Sequence, residues 1–128
     1  MKTKLLVFIT LILGTLAAAA ETYTYKGYIG NYQVRVTLKT TTGGRGMRSS
    51  DNWDNVSGKY TYVKAGNTLN LKGKCYYGMS QTTNLTETTP KGKKSAQWYI
   101  EGVPGDDYLT GEFTNLSNGQ VYTIELYR

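Results

Sequence analysis

The sequence has no histidine, one cysteine, two prolines and no long hydrophobic run after residue 20. Without histidine, the chain lacks the commonest general base and the commonest zinc ligand. The single cysteine, Cys75, cannot form an intrachain disulfide, so stability must come from the packed core. The prolines are Pro90 and Pro104, and no Pro-rich or charged linker divides the chain. These absences favour a single domain and argue against histidine-based catalysis.

The first twenty residues have the organisation of a cleaved secretory signal peptide. Lys2 and Lys4 supply a positive start, residues 5–16 are apolar, and the small residues 17–20 form an A-x-A cleavage site. The apolar run is too short to span a bilayer. We therefore predict a signal peptide over 1–20, one domain over 21–128, and a periplasmic or extracellular location without a transmembrane segment after cleavage. An uncleaved N-terminal anchor is the alternative.

Charge on the mature chain is moderately positive and dispersed. Without Lys2 and Lys4, 13 basic residues face 9 acidic ones, which leaves a net charge of +4. Basic residues cluster only in "KGKK", residues 91–94, within a predicted loop. Nucleic-acid binding would require a basic stripe interleaved with aromatic residues on one face. We therefore predict no nucleic-acid partner.

Apolar and polar residues alternate with a period of two along the mature chain, and no stretch holds a helical period over three turns. The alternation predicts eight strands, over residues 22–29, 32–40, 56–64, 68–77, 81–88, 95–102, 107–115 and 120–127. Short turns such as Gly30-Asn31 join neighbouring strands antiparallel. We predict an all-β antiparallel meander that closes into a barrel, with a β-sandwich as the second choice.

The same alternation predicts which side chains face the core. The inward set is Val34, Val36, Leu38, Leu69, Leu71, Trp98, Ile100, Leu109, Phe113, Ile124 and Leu126. Cys75 is in phase with these leucines, so we expect a buried and inert thiol. Glycines before or within strands, Gly27, Gly58, Gly73 and Gly111, mark bends where a small sheet curls tightly.

Three stretches carry a resemblance: "YKGYIGNYQVRVTLK", "VSGKYTYVKAGNTLNLKGK" and "LTGEFTN". They resemble a pattern in small secreted or periplasmic all-β proteins of Gram-negative bacteria. There, Gly-x-Ile-Gly-x-Tyr leads into an alternating strand, then a Gly-x-Tyr-x-Tyr hairpin and a Gly-x-Phe strand. In size and strand number the chain is also similar to calycin-type barrels, lipocalins and avidin, but it lacks the lipocalin Gly-x-Trp motif and disulfides. The resemblance implies architecture and transfers no functional residue.

Catalytic and metal-binding motifs are absent from the sequence. It has no G-x-S-x-G elbow, phosphate loop or dinucleotide fingerprint. Glu112 and Glu125 lie on adjacent predicted strands, as a glycosidase pair would, but they are more simply solvent-facing residues. The aspartates of "PGDD", residues 104–107, are typical of turns rather than of a calcium site. We predict no enzyme activity, no cofactor and no bound metal.

Aromatic residues and one long loop suggest recognition instead. Twelve tyrosines stand against two phenylalanines, and the pair Tyr60 and Tyr62 shares a strand face. Tyrosine serves both cross-strand packing and binding surfaces. The loop 40–55 is rich in Gly, Ser and Asn, and loops of this length are commonly functional or disordered. The predicted binding residues are Arg45, Arg48, Asp51, Trp53, Asp54, Tyr60 and Tyr62, with Trp53 as the anchor.

Three functions remain open on these features. The first is a non-enzymatic binding protein that recognises another protein, such as an inhibitor of a secreted hydrolase or an immunity protein. The second is a calycin-like barrel that holds a small apolar ligand or a sugar. The third is an envelope or matrix protein that associates with copies of itself.

Overall fold

The computed structural model describes residues 20–128, which form eight strands and one short 3-10 helix, Ser49–Asp51. The strands are β1 Ala20–Ile29, β2 Tyr32–Thr42, β3 Trp53–Tyr62, β4 Thr68–Tyr76, β5 Thr82–Thr88, β6 Lys94–Glu101, β7 Tyr108–Asn115 and β8 Val121–Tyr127. Each strand pairs antiparallel with the next, and β8 pairs with β1. The predicted antiparallel meander and its closure into a barrel are confirmed, and the second choice, a β-sandwich, is wrong. The predicted signal peptide lies outside the described residues, apart from Ala20.

Closure of the barrel depends on a short seam between β1 and β8. Four residue pairs form it, from Lys26 with Tyr127 to Ile29 with Ile124. Gly27 lies within the seam, where a Cβ atom would overlap the backbone carbonyl oxygen of Glu125. The absence of a side chain therefore lets the two strands approach closely enough to pair.

The interior contains the side chains that alternation predicts. Ten of the eleven predicted core residues are buried, and Cys75 is fully buried beside them, as expected. Leu69 differs, since it is only half-buried and packs against the edge of the core. Leu69 lies near the start of β4, directly after the turn 63–67, and therefore sits at one end of the barrel, where fewer neighbours cover it.

The long loop is shorter than the sequence predicts. Composition assigns residues 40–55 to the loop, but β2 continues to Thr42 and β3 begins at Trp53. Asp54 pairs with Thr42 on one side and Cys75 on the other, so its backbone belongs to the sheet. The prediction failed here because a buried aspartate within a strand is disfavoured by propensity and is accepted only when tertiary partners satisfy it.

The two ends of the barrel differ. One end carries the four turns 30–31, 63–67, 89–93 and 116–120, and is called the hairpin end below. The other end carries the connections 43–52, 77–81 and 102–107, and is called the loop end.

The connection 102–107 covers part of the loop end. Val103 is buried against the core, and the Tyr25 hydroxyl donates to the Asp106 carbonyl oxygen (2.7 Å) and accepts from the Gly105 N–H (2.9 Å). The Thr83 hydroxyl donates to the Gly102 carbonyl oxygen at 2.8 Å. These contacts tie the connection to the barrel interior.

A search of residues 20–128 finds no helix with the length and apolar character needed to cross a membrane.

Candidate functional site

A cavity of about 560 Å³ opens at the hairpin end of the barrel. Its wall includes five aromatic side chains: Tyr32, Tyr60, Tyr62, Phe113 and Tyr122. Glu87 and Ser95 supply its inner polar groups, and the exposed residues Lys93 and Lys94 lie at its rim. The volume lies in the range of small-molecule pockets in proteins.

Strand alternation carries most of these side chains to the cavity. On β3, Val56, Tyr60 and Tyr62 share the inward face because successive side chains of a strand point to opposite sides. On β5, Thr83, Leu85 and Glu87 share the inward face by the same rule. Glu87 thus lies on the same strand face as the core residue Leu85.

Ser95 reaches the cavity through an irregularity in β6. Glu87 pairs with Ala96, but Thr88 pairs with Lys94, so Ser95 is an extra residue in the β5–β6 ladder. Such a bulge re-aims a side chain that regular alternation would send outward. The Ser95 hydroxyl lies against Glu87 as a result.

Glu87 is 4% exposed and accepts three hydrogen bonds inside the barrel. The Tyr60 hydroxyl donates to Oε1, and the Trp98 indole Nε1–H donates to the same oxygen at 3.4 Å. The Ser95 hydroxyl donates to Oε2 at 2.5 Å. All three donors are neutral groups.

Tyr62, Tyr60 and Glu87 form a chain of hydrogen bonds. The hydroxyl oxygens of Tyr60 and Tyr62 lie 3.2 Å apart. A carboxylate only accepts, so the single Tyr60 proton points to Glu87 and the Tyr60 oxygen is left to accept from Tyr62. Burial, then the hydrogen bond to Glu87, raises the pKa of Tyr60 well above its usual value, and burial also raises the pKa of Tyr62.

The aromatic rings form a continuous edge-to-face series around the cavity. In order, the rings are Tyr32, Tyr62, Tyr60, Trp98, Phe113 and Tyr122, with successive centroids 4.9 to 6.1 Å apart. Trp98 is fully buried and lies beneath the others. Such contacts hold rings in fixed orientations, which preforms the cavity.

No cation balances Glu87 among residues 20–128. The ion pairs of this part of the chain join Arg45 to Asp54 at 2.7 Å and Arg128 to Asp107 at 3.9 Å. Lys93 and Lys94 line the rim without forming an ion pair with Glu87. Glu87 therefore has no cationic partner within the described part of the chain.

The seven predicted binding residues are divided between the two ends of the barrel. Tyr60 and Tyr62 line the cavity at the hairpin end. The other five lie at the loop end: Arg45, Arg48, Asp51, Trp53 and Asp54. One site cannot include both groups.

At the loop end, the polar groups of Arg45 and Asp54 are used within the chain. The Arg45 guanidinium donates to Asp54 Oδ1 (2.7 Å) and to the carbonyl oxygens of Trp53 (2.9 Å) and Gly44 (2.8 Å). Trp53 packs on the 43–52 loop, and Lys74 Nζ lies 4.2 Å from its ring centroid. Arg45, Asp54 and Trp53 therefore hold the 43–52 loop in place.

Arg48 and Asp51 are both exposed. The backbone N–H of Arg48 donates to Asp51 Oδ2 at 3.3 Å, at the start of the 3-10 helix. The Arg48 side chain remains available to solvent. A contact between these five residues and a partner stays a prediction.

Asp54 also belongs to a buried network with Tyr77 and Cys75. The Tyr77 hydroxyl donates to Asp54 Oδ2 at 2.7 Å, and Cys75 Sγ lies 3.5 Å from that hydroxyl. Burial by itself would raise the pKa of Asp54, but the hydrogen bonds from Tyr77 and Arg45 outweigh burial and lower it. Burial raises the pKa of Cys75, as expected for a thiol packed among apolar groups.

Sequence reasoning missed Glu87 and Ser95 as site residues. Glu87 had a signal, because it continues the inward phase of Thr83 and Leu85. Ser95 had none, since only the cross-strand register reveals the bulge. Glu112 and Glu125, considered as an acid–base pair, are both exposed on the outer face, as the simpler interpretation predicts.

The arrangement is suited to binding. Among the described residues, Glu87 is the one carboxylate that lines the cavity, and no group of three or more metal-ligating side chains occurs.

Comparisons with family models, with curated proteins and with solved structures find no match for this chain.

Proposed function

We propose that this protein is a non-enzymatic, secreted binding protein of calycin-like form, which holds a small organic ligand in the cavity at its hairpin end. The observation that carries the proposal is the preformed cavity of about 560 Å³ with aromatic walls and a buried carboxylate. Small-ligand sites combine a mostly apolar wall with a few placed polar groups. Secretion, as predicted from residues 1–20, would place the barrel in the periplasm or outside the cell.

The two tryptophans allow a direct test. Trp98 lies beneath the cavity, whereas Trp53 lies at the loop end. In a Trp53→Phe variant, Trp98 is the only tryptophan, and energy transfer to the neutral dye N-phenyl-1-naphthylamine reports on dye in the cavity. We expect saturable energy transfer.

A matched pair of variants tests the location. Tyr62→Ala removes a cavity wall, and Tyr99→Ala removes an exposed ring from the outer face. The first should weaken dye binding by about tenfold, and the second should leave it unchanged. Absence of saturable transfer, or equal effects of both variants, would overturn the proposal.

Recognition of another protein is the second candidate. Met47 and Met79 are fully exposed on the connections 43–52 and 77–81, and Gly78 lies against Ser50, so the two connections touch. Methionine is enriched in protein interfaces. The exposed Arg48 lies on the same connection as Met47.

The clean test of this candidate uses Arg48→Ala with Met47→Ser, because Trp53→Ala would also disturb the loop packing described above. Retention of a periplasmic or medium protein by the wild type, and its loss by the double variant, is the expected result. Equal retention by both baits would remove the loop end from consideration.

Self-association through sheet edges, the third expectation, has less support. Each strand pairs with two neighbours, although the β1–β8 seam involves only the last four residues of β1. A closed sheet offers few free edges for pairing.

A further inference from the structure

We propose that the ligand of the cavity is a protonated amine on an apolar, preferably aromatic, skeleton, bound with its charge against Glu87. This inference rests on the proposed small-ligand function and specifies the chemical class of the ligand. Glu87, the aromatic wall and the lysines at the rim each contribute to it.

The first argument is that Glu87 is buried without a cationic partner among the described residues. Its side chain is 4% exposed, and Tyr60, Ser95 and Trp98 stabilise it only as neutral donors. Buried charges in proteins are usually paired with an opposite charge. A ligand cation would complete the pair, whereas a ligand carboxylate would face repulsion.

The second argument is the acceptor capacity of Glu87. A carboxylate offers about four lone-pair positions, and the three donors leave one unoccupied. An ammonium N–H can fill that position with a charge-assisted hydrogen bond. The hydrogen bonds around Glu87 therefore leave room for a donor that also carries positive charge.

The third argument is the composition of the wall. Tyr32, Tyr60, Tyr62, Phe113 and Tyr122 surround the space above Glu87. Aromatic faces attract cations, and the attraction increases when water is excluded. The same rings provide flat apolar surface for the skeleton of the ligand. The aliphatic part of the wall, Ile29, Leu69 and Leu116, also buries the skeleton but does not favour a cation.

The rim lysines set the orientation. Lys93 and Lys94 are exposed at the mouth of the cavity, and neither forms an ion pair with Glu87. They would disfavour a second positive charge at the outer end of the ligand. The expected ligand is therefore a monoamine with its charged end innermost.

The test is competition with N-phenyl-1-naphthylamine in the Trp53→Phe protein. Three competitors share one skeleton: 2-phenylethylamine, 2-phenylethanol and 3-phenylpropanoate. We expect the amine to displace the dye at a concentration about tenfold or more below that of the alcohol, and the carboxylate to displace it least. Equal potency of amine and alcohol, or greatest potency of the carboxylate, would overturn the inference.

Glu87→Gln provides the residue-level test, and Glu112→Gln is the matched control on the outer face. In Glu87→Gln the preference for amine over alcohol should fall to near unity, and in Glu112→Gln it should persist. Preserved preference in Glu87→Gln would contradict the role of Glu87. If Glu87→Gln does not fold, the wild-type competitor series still decides the ligand class.

The two proposals fail in different ways. Dye binding without a preference for the amine leaves the small-ligand function standing and removes the amine. Absence of dye binding in the folded Trp53→Phe protein removes the small-ligand function itself.

Discussion

Glu87 and Asp54 are both buried carboxylates, but they are stabilised differently. Asp54 has a guanidinium partner in Arg45 and a phenol donor in Tyr77. Glu87 has only neutral donors. Asp54 thus has its cationic partner within the chain, whereas the partner of Glu87 would come from the proposed ligand.

Tyr60→Phe tests how strongly the inner hydrogen bonds hold Glu87. The variant keeps the ring and removes the hydroxyl that donates to the carboxylate. Because hydrogen bonds to charged groups contribute more than neutral ones, we expect a loss of about 2 kcal/mol in the free energy of unfolding, measured by urea denaturation. Tyr99→Phe, on the exposed outer face, should change it by less than about 0.5 kcal/mol. Equal stability of the two variants would show that Tyr60 contributes only packing.

Cys75 offers a residue-scale prediction about reactivity. Its side chain is fully buried, and burial raises the pKa of the thiol, so thiolate and access are both lacking in the folded protein. We expect a thiol reagent such as Ellman's reagent to leave folded protein unmodified near neutral pH and to react with one thiol per chain in urea. Rapid modification without denaturant would mean that β4 opens locally.

At the scale of elements, two departures from regular strands shape the molecule. The bulge at Ser95 turns one hydroxyl into the cavity. Four glycines within strands let neighbouring strands come close enough for the sheet to coil into a small barrel: Gly27, Gly58, Gly73 and Gly111. The first departure affects the site, and the second affects closure.

Gly27→Ala tests the closing seam. The added methyl group would overlap the Glu125 carbonyl oxygen, and only four residue pairs join β1 to β8. The backbone cannot move away without breaking the seam, so we expect a loss of about 3 kcal/mol, measured by urea denaturation. Gly119→Ala is the control, because an added methyl group at Gly119 would meet no neighbouring atom. Its positive φ of 73° alone disfavours alanine, and we expect a loss of about 1 kcal/mol in the free energy of unfolding. A smaller effect at Gly27 than at Gly119 would contradict this account of closure.

The start of β3 gives an acid-dependent prediction. The pKa of Asp54 is lower in the folded protein than its ordinary value of 3.8. The stabilisation is therefore complete above the unfolded-state pKa and is lost as pH falls through the folded-state pKa. Asp54→Asn should lower the free energy of unfolding by about 1 kcal/mol at neutral pH, because Arg45 is partly exposed and screened.

The difference between wild type and Asp54→Asn should shrink as pH falls below 3.8, in urea titrations at a series of pH values. Asp107→Asn is the control, since the Asp107 side chain is 99% exposed. A constant difference for Asp54→Asn across this pH range would show that its contribution does not depend on the carboxylate charge.

For the whole molecule, buried tyrosines determine the response to alkali. Burial raises the pKa of Tyr25, Tyr60, Tyr62 and Tyr77 above the ordinary value of 10.0. Below that value both states keep these protons; above it the unfolded chain releases them first. Stability should therefore fall as pH rises above 10.0 toward the folded-state pKa values.

Urea midpoints from neutral pH to above 10.0 measure this dependence. The decline of the urea midpoint with pH should be less steep in Tyr60→Phe, because this variant lacks one of the four tyrosine hydroxyls whose pKa burial raises. A wild-type midpoint that does not change over this range would contradict the burial of these hydroxyls.

Much of the fold and part of the site follow from the sequence. The eight strands, the inward phase of the core and the buried Cys75 come from local alternation and turn residues. The same alternation places Tyr60 and Tyr62 inside the barrel. Composition misassigned the start of β3, because the partners that accept Asp54 within a strand come from distant parts of the chain.

The meander of alternating strands follows from local sequence, because each strand and turn depends on neighbouring residues. Long-range packing settles the choice of a barrel over a sandwich, aims Ser95 inward through the bulge, and brings Tyr60 to Glu87 across 27 residues. These contacts depend on the register between strands, and register arises when the whole sheet closes around its core.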